Sequence, residues 1–374
     1  MPRLIRMNRT QPEIREMRRV TVLLFFLLEQ TLSLPAQSAS LGQQPNGKAL
    51  LEQADAARDA KKWAEAGQLY WEAARRLPNQ DLELARAVAG KAHAQGHSYF
   101  GPEGFAFAFW AETLYRLHDA PPRELAKLLT DRARGSLAAY EPLRALVASE
   151  LACQLDDTAA DAWAARADAH YELGHYDEAV QLLQRARELD PNLPRAFVYT
   201  KERADRHAKK HPPLDDKADL SADLATASKA NADQRYAEGI AIYTAVIQKQ
   251  PRLLAAWTNR GIAHYNQHEY PEAISDYSVA ISFRMVHEPN SPHLVTGLVN
   301  RAIAFHDSRL FAHAKADCTL ALKLAPTDPR AKATLGLVEA ALAAERADGG
   351  RALVRALGLG APQSMPSAGK EPLK

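Results

Sequence analysis

From residue 47 onward, apolar and small residues recur at helical spacing, with polar residues between them, as amphipathic helices require. The small residues fall on a lattice. Ala167, Ala179 and Ala186 follow one another at fixed steps, with Trp163 ahead of them and Pro191 behind. The same steps return as Ala54, Ala66 and Ala73 before Pro78, and as Ala133, Ala145 and Ala152. Further along they return as Ala227, Gly239 and Val246 before Pro251, as Gly261, Ala273 and Ala280 behind Trp257, and as Ala302, Ala314 and Ala321 before Pro326. Two neighbouring pairs, 126–159 with 160–193 and 220–253 with 254–287, keep a 34-residue step without a gap. Each unit reads as a helix, a tight turn and an antiparallel helix. Small residues at the crossing let the two helices approach within about 8–10 Å. Tyr70, Leu183, Tyr243 and Tyr277 fill the space that remains, and proline stops the second helix.

The lattice resembles the tetratricopeptide repeat family, a 34-residue helix-turn-helix pattern. The resemblance implies an all-α fold of repeats stacked into a right-handed superhelical solenoid, whose concave groove is lined mainly by the first helices. One unit cannot bury its apolar face alone, so neighbours stack, and each repeat is expected to touch only its neighbours. On that expectation Cys153 and Cys318, in second helices far apart, do not meet and are buried free thiols.

Departures from the lattice divide the chain into two sub-arrays, 47–210 and 220–357. Residues 81–125 read as a degenerate repeat with a long turn and an aromatic second helix carrying Phe105, Phe107, Phe109 and Trp110. Residues 194–210 begin a first helix that has no second, and 211–219, with His211-Pro212-Pro213, read as a linker. Seven extra residues precede the unit at 295, where Ser291-Pro292 suits a helix start. Residues 329–346 form a solitary capping helix with Gly336 in phase, and the Gly-, Pro- and Ser-rich tail 358–374 is expected to be disordered.

Residues 1–40 read as a signal peptide. Arg15, Arg18 and Arg19 precede the apolar run 20–28, and small residues around Ser38 and Ser40 supply a cleavage site. A spanning helix needs about 20 apolar residues, so the run is too short to cross a bilayer. Export to a periplasmic or extracellular compartment is the expectation, and cytoplasmic residence, with the run as a buried amphipathic helix, is the alternative.

Charge changes meaning once the leader is set aside. The whole chain carries 47 Lys and Arg against 45 Asp and Glu, a net +2, but residues 1–40 hold six arginines and three glutamates. The remainder is left with 41 basic and 42 acidic residues, without the basic excess of a nucleic-acid binder. Two cysteines cannot build a four-cysteine zinc site.

Candidate chemistry is sparse. No phosphate-binding glycine loop, His-Glu-x-x-His or Gly-x-Ser-x-Gly occurs, so neither an enzyme nor a cofactor is expected. His93 and His97, and His264 and His268, stand four apart, but a metal site needs more ligands, and none is assigned. Asp156, Asp157 and Asp161 suit helix capping, and Arg203, Arg206, His207 and Lys210 form a basic stripe read as a solvated face. Asn259 and Asn300 share one lattice position, two before the small residue of a first helix, where an amide can both donate to and accept from a peptide backbone. The pair resembles two rungs of the asparagine ladder in the repeats of O-linked N-acetylglucosamine transferase, interrupted here by Ala165 and Ala225. The basic set of the carboxylate-clamp co-chaperones is missing, so recognition of a chaperone C-terminus is not expected. Thr258, Ile262, Tyr265, Asn266, Ile303 and His306 complete the candidate groove.

The function expected is a non-enzymatic scaffold that binds a peptide or partner protein in its groove. The alternative is a structural component of a cell-envelope or secretion complex. N-terminal sequencing of the mature protein from its native host checks the leader: a start just after Ser38 or Ser40 is expected, and an intact Met1 or Met17 refutes cleavage.

Overall fold

The computed structural model describes residues 46–77, 82–98, 102–193, 199–209, 211 and 213–356. The expected leader 1–40, the expected tail 358–374, Pro78, residues 99–101 of the expected long turn, 194–198 of the expected unpaired first helix, and Lys210 lie outside the described residues. Among the described residues there are sixteen helices and no strand. In chain order they are α1 (Gly47–Asp59), α2 (Trp63–Arg76), α3 (Leu82–Ser98), α4 (Pro102–Leu117), α5 (Pro122–Ala138), α6 (Pro142–Leu155), α7 (Ala160–Glu172), α8 (Tyr176–Leu189) and α9 (Lys201–Ala208). The second group is α10 (Ser221–Ala232), α11 (Tyr236–Lys249), α12 (Leu254–Asn266), α13 (Tyr270–His287), α14 (Pro292–Asp307), α15 (Phe311–Leu324) and α16 (Pro329–Ala356). Apart from α9, each first helix from α1 to α14 packs against its own second helix, and the stacked units build an all-α solenoid of helix-turn-helix repeats.

Local chemistry sets the boundaries. Asn46 caps α1 by accepting from the Ala49 amide at 2.8 Å, and Ser291 caps α14 ahead of Pro292. The turns inside the units pass through a left-handed residue: Lys61, Tyr140, Gly174, Gln234, His268 and Arg309 all have φ between 58° and 88°. Only at Gly174 does the surrounding space also demand glycine, because a Cβ there would lie 2.4 Å from the backbone nitrogen of Ala208. At the crossings the small residues behave as the lattice requires. Ala54, Ala167, Ala227 and Ala302 are fully buried, and a Cβ on Gly261 would stand 2.8 Å from the Tyr277 ring.

Helix α9 closes the first array. Tyr199 stacks on Tyr171 with ring centroids 4.4 Å apart, and its hydroxyl donates to Asp168 at 2.7 Å. Arg203 pairs with Glu172 at 3.1 Å, and His207 with the same carboxylate at 2.9 Å. Two members of the stripe expected to be solvated are therefore docking contacts, because a first helix without a second still has a unit behind it to cover.

The larger departure is long-range. The expectation that each repeat touches only its neighbours is corrected: second helices α4 and α6 of the first array pack against second helices α13 and α15 of the other. Leu129, Val147 and Leu151 share one hydrophobic cluster with Val246, Trp257 and Val279, and Phe109 joins the cluster of Tyr277 and Phe305. The cause is visible in α6, where apolar residues run around most of the circumference. Every residue from Ala145 to Cys153 is buried, Ser149 and Glu150 included, and such a helix must be covered on all sides.

Buried charge crosses the same seam. Arg301, 0% exposed, donates to both oxygens of Asp317 at 2.8 Å, to the Ser278 hydroxyl at 2.8 Å and to the Thr113 hydroxyl at 2.8 Å. Thr113, from the first array, in turn donates to Asp317 at 2.8 Å. Arg132 pairs with buried Glu112 and reaches Ser282 across the seam at 2.8 Å. Arg144 of α6 meets Asp276 of α13 at 2.8 Å, and Arg260 holds the same carboxylate at 2.7 and 2.8 Å. Burial alone would push Asp276 up, but Arg260 and Arg144 together hold it below the usual carboxylate range. Replacing Asp317 with Ala strands the Arg301 charge. Urea unfolding is expected to show a loss of about 3–5 kcal/mol, the cost of breaking a buried pair from one side.

Candidate partner-binding groove

With second helices α4, α6, α13 and α15 committed to the seam, the first helices are left to bridge one another along each array. Side chains bridge successive first helices there, and the bridges differ between arrays. In the first array they join ionisable side chains: Lys48 with Glu83, Arg86 with Glu124, His93 with Asp131, and Arg134 with Asp161. Asp168 follows, bonded to Tyr199 and pushed up to about 6 by burial.

In the second array amides and a phenol join the bridges, beside charged groups such as the Arg309–Glu345 pair at 3.8 Å. Asn231 of α10 donates to the backbone carbonyl of Asn259 in α12 at 3.1 Å. Tyr265 of α12 donates to Asp307 of α14 at 2.6 Å, and Arg330 of α16 donates to Asn300 Oδ1 of α14 at 2.8 Å.

The eight predicted residues all lie on α12 and α14, and the structure joins them less directly than their shared lattice position suggests. Asn259 is half-buried beside the Tyr243 hydroxyl, and Asn300 is half-buried against Arg330. Asn300 Nδ2 donates to no group among the described residues. Ile262, Tyr265 and Ile303 pack at the margin of the core cluster, Thr258 bonds back to Leu254 at 3.0 Å, and Asn266 is exposed. His306 bonds to Asp307 at 2.9 Å and faces Phe311, with ring centroids 5.4 Å apart.

Four residues absent from the prediction complete this face: Asp307, Arg330, Tyr270 and Phe311. Tyr270 and Phe311, with His306, Asp307, Arg309, Ala341, Ala344 and Glu345, line a hollow of about 500 Å³ at the turn end of α12 and α14. Asp307 was visible as an ionisable residue ending a first helix. Arg330 gave no signal, because its partner stands thirty positions earlier.

The other candidate residues have structural partners. His264 bonds to Glu269 at 2.7 Å and His268 to Tyr270 at 2.9 Å, and no group of three or more metal-ligating side chains occurs among the described residues. Cys153 and Cys318 are buried, which pushes both thiols up to about 12 and keeps them protonated. Asp156 accepts from the amide and hydroxyl of Thr158.

Stacked helix pairs with an open first-helix face define the class, an all-α repeat protein. Family models described as tetratricopeptide repeat match residues 160–193 and 224–285, so these segments are tetratricopeptide repeats, units of the kind that build protein-interaction scaffolds. Among curated proteins none matches. Similar solved structures include a tetratricopeptide repeat protein from Parabacteroides merdae, 17% identical, covering 78% of this chain and 98% of that one, with a TM-score of 0.32. Another is the TPR2AB domain of yeast Sti1 in complex with pHSP90, at 14% identity, 78% and 98% coverage and a TM-score of 0.31. Pseudomonas aeruginosa pilF is 15% identical, with 63% and 92% coverage and a TM-score of 0.28.

The Arg330–Asn300 bond is solvent-exposed, so Arg330→Ala is expected to lower stability by under about 1 kcal/mol in thermal unfolding, leaving the fold intact and freeing the Asn300 amide.

Proposed function

We propose that the first-helix face of the second array is a groove that holds an extended segment of a partner protein, and that the protein acts without catalysis. The contrast between the two arrays supports this most directly. Charged bridges engage the first helices of the first array on one another, whereas the second array keeps an amide donor on Asn300 without an internal partner. A carboxamide supplies the donor and acceptor that a peptide unit lacks once it leaves water. Tyr265, Ile262 and Ile303 add apolar surface beside it.

The competing reading is permanent packing in an envelope or secretion assembly through the outer array surface. It has less support, because α4, α6, α13 and α15, which would form much of that surface, already cover one another in the seam. Export through the 1–40 leader remains part of the proposal and is independent of the groove.

Pull-down from the native compartment, repeated with Asn259→Ala plus Asn300→Ala, tests the groove. Each lost neutral hydrogen bond costs about 0.5–1.5 kcal/mol, so partner affinity is expected to fall roughly 5- to 150-fold with unfolding little changed. Undiminished capture by the double variant refutes the groove and favours the assembly.

A further inference from the structure

Among the described residues, the seam encloses an ionisable side chain whose polar atoms meet no partner. His313 of α15 is 7% exposed, and neither ring nitrogen has a hydrogen-bond partner. Its ring lies inside an aromatic cage built from both arrays. Trp110 of α4 is 4.7 Å away between centroids, Phe107 of α4 is 6.1 Å away, and Phe305 of α14 is 5.2 Å away.

A neutral imidazole in such a cage acts as one more flat, weakly polar ring. An imidazolium does not, because it carries a charge and two N–H donors that no acceptor among the described residues meets, and the attraction of ring faces for a cation is weaker than the hydration given up. The charged groups around it offer no relief. From α14 the nearest is Arg301, a cation that opposes a second positive charge. Glu112 on α4 is engaged by Arg132, and Asp317, four residues along α15, is engaged by Arg301. On α16, Glu339 is paired with Lys315 at 3.0 Å, and Lys91 of α3 stands over the Phe107 ring at 5.9 Å.

We infer that His313 is an acid-sensitive latch: neutral, it lets the two arrays close on each other, and protonation drives α4 and α15 apart. The inference rests on the seam and is independent of the groove reading.

The direction follows from linkage. Burial first, and then Arg301, lower His313 from its ordinary value of 6.5 to about 3 in the closed state, whereas an opened seam returns it toward the ordinary value. The closed state is therefore fully favoured above about pH 6.5. Below that the closed-to-open ratio falls by about tenfold per pH unit until the closed-state value is reached. Other groups titrate in part of this window. His170, lowered to about 4 by burial, lies beside His175 at the α7–α8 turn and outside this cage, so only replacement of His313 itself isolates the effect.

Small-angle scattering and far-ultraviolet circular dichroism of the whole protein from about pH 7 to pH 4 test the latch, comparing wild type with His313→Phe. Phenylalanine keeps the aromatic shape and cannot take a proton. The expected result is that wild type expands between about pH 6 and pH 4 with its helix signal retained, and that the variant stays compact to at least about one pH unit lower. Should the variant fail to fold at pH 7, His313→Leu carries the same comparison. Coincident expansion curves, or a wild type that stays compact down to about pH 4, overturn the latch. So does expansion that coincides with loss of helix in both proteins, since that is general acid unfolding.

Discussion

A buried guanidinium must be satisfied on all sides, and Arg301 is satisfied only when the two arrays are together. Asp317 neutralises it from the neighbouring helix, Ser278 accepts from it within the second array, and Thr113 accepts from it across the seam. Asp317 in turn takes the Thr113 hydroxyl. With the first array removed, the charge keeps its carboxylate but loses its cover and one acceptor. Water would have to replace both, at the face where Phe109 now sits. Arg132 with Glu112 and Arg144 with Asp276 repeat this arrangement along the seam.

This has a consequence for the solenoid. An open tetratricopeptide array leaves its second helices facing solvent and its first helices facing a groove. Here the second helices α4, α6, α13 and α15 face one another, so the chain doubles back after α9. The segment from 213 to 220 is tied in as it returns. Asp215 donates its amide to the Lys249 carbonyl, Gln250 donates to the Asp215 and Ala218 carbonyls, and Arg252 joins Asp216 to Glu150 of α6. The first-helix faces of the two arrays differ in chemistry: amides and aromatic rings are prominent on one, and charge engaged within the array on the other.

Much of this was legible in the residues. The six small-residue lattices located the helix pairs, the Ser291-Pro292 start was read correctly, and the aromatic segment near Phe107 proved helical. Each depends on neighbours within about forty positions, the range over which helix periodicity and turn chemistry act. The candidate groove was legible only as two helices. Which atoms Asn259 and Asn300 expose depends on Tyr243 and Arg330, residues of adjacent units whose side-chain directions follow from packing. The seam had a signal that periodicity alone did not interpret: a second helix such as 142–155, with apolar residues around most of its circumference, needs cover on two faces.

The sequence by itself determined the repeat, the helix boundaries and the family resemblance, because these arise from spacing along one chain and from backbone rules that act locally. Tertiary structure alone decided that the arrays close back to back, that Arg301 and Thr113 meet from 188 positions apart, and that His313 is enclosed by rings from two arrays. No local pattern specifies those meetings. They follow from the free energy of covering apolar helix faces, which says how much surface must be buried but leaves open which distant surface will bury it.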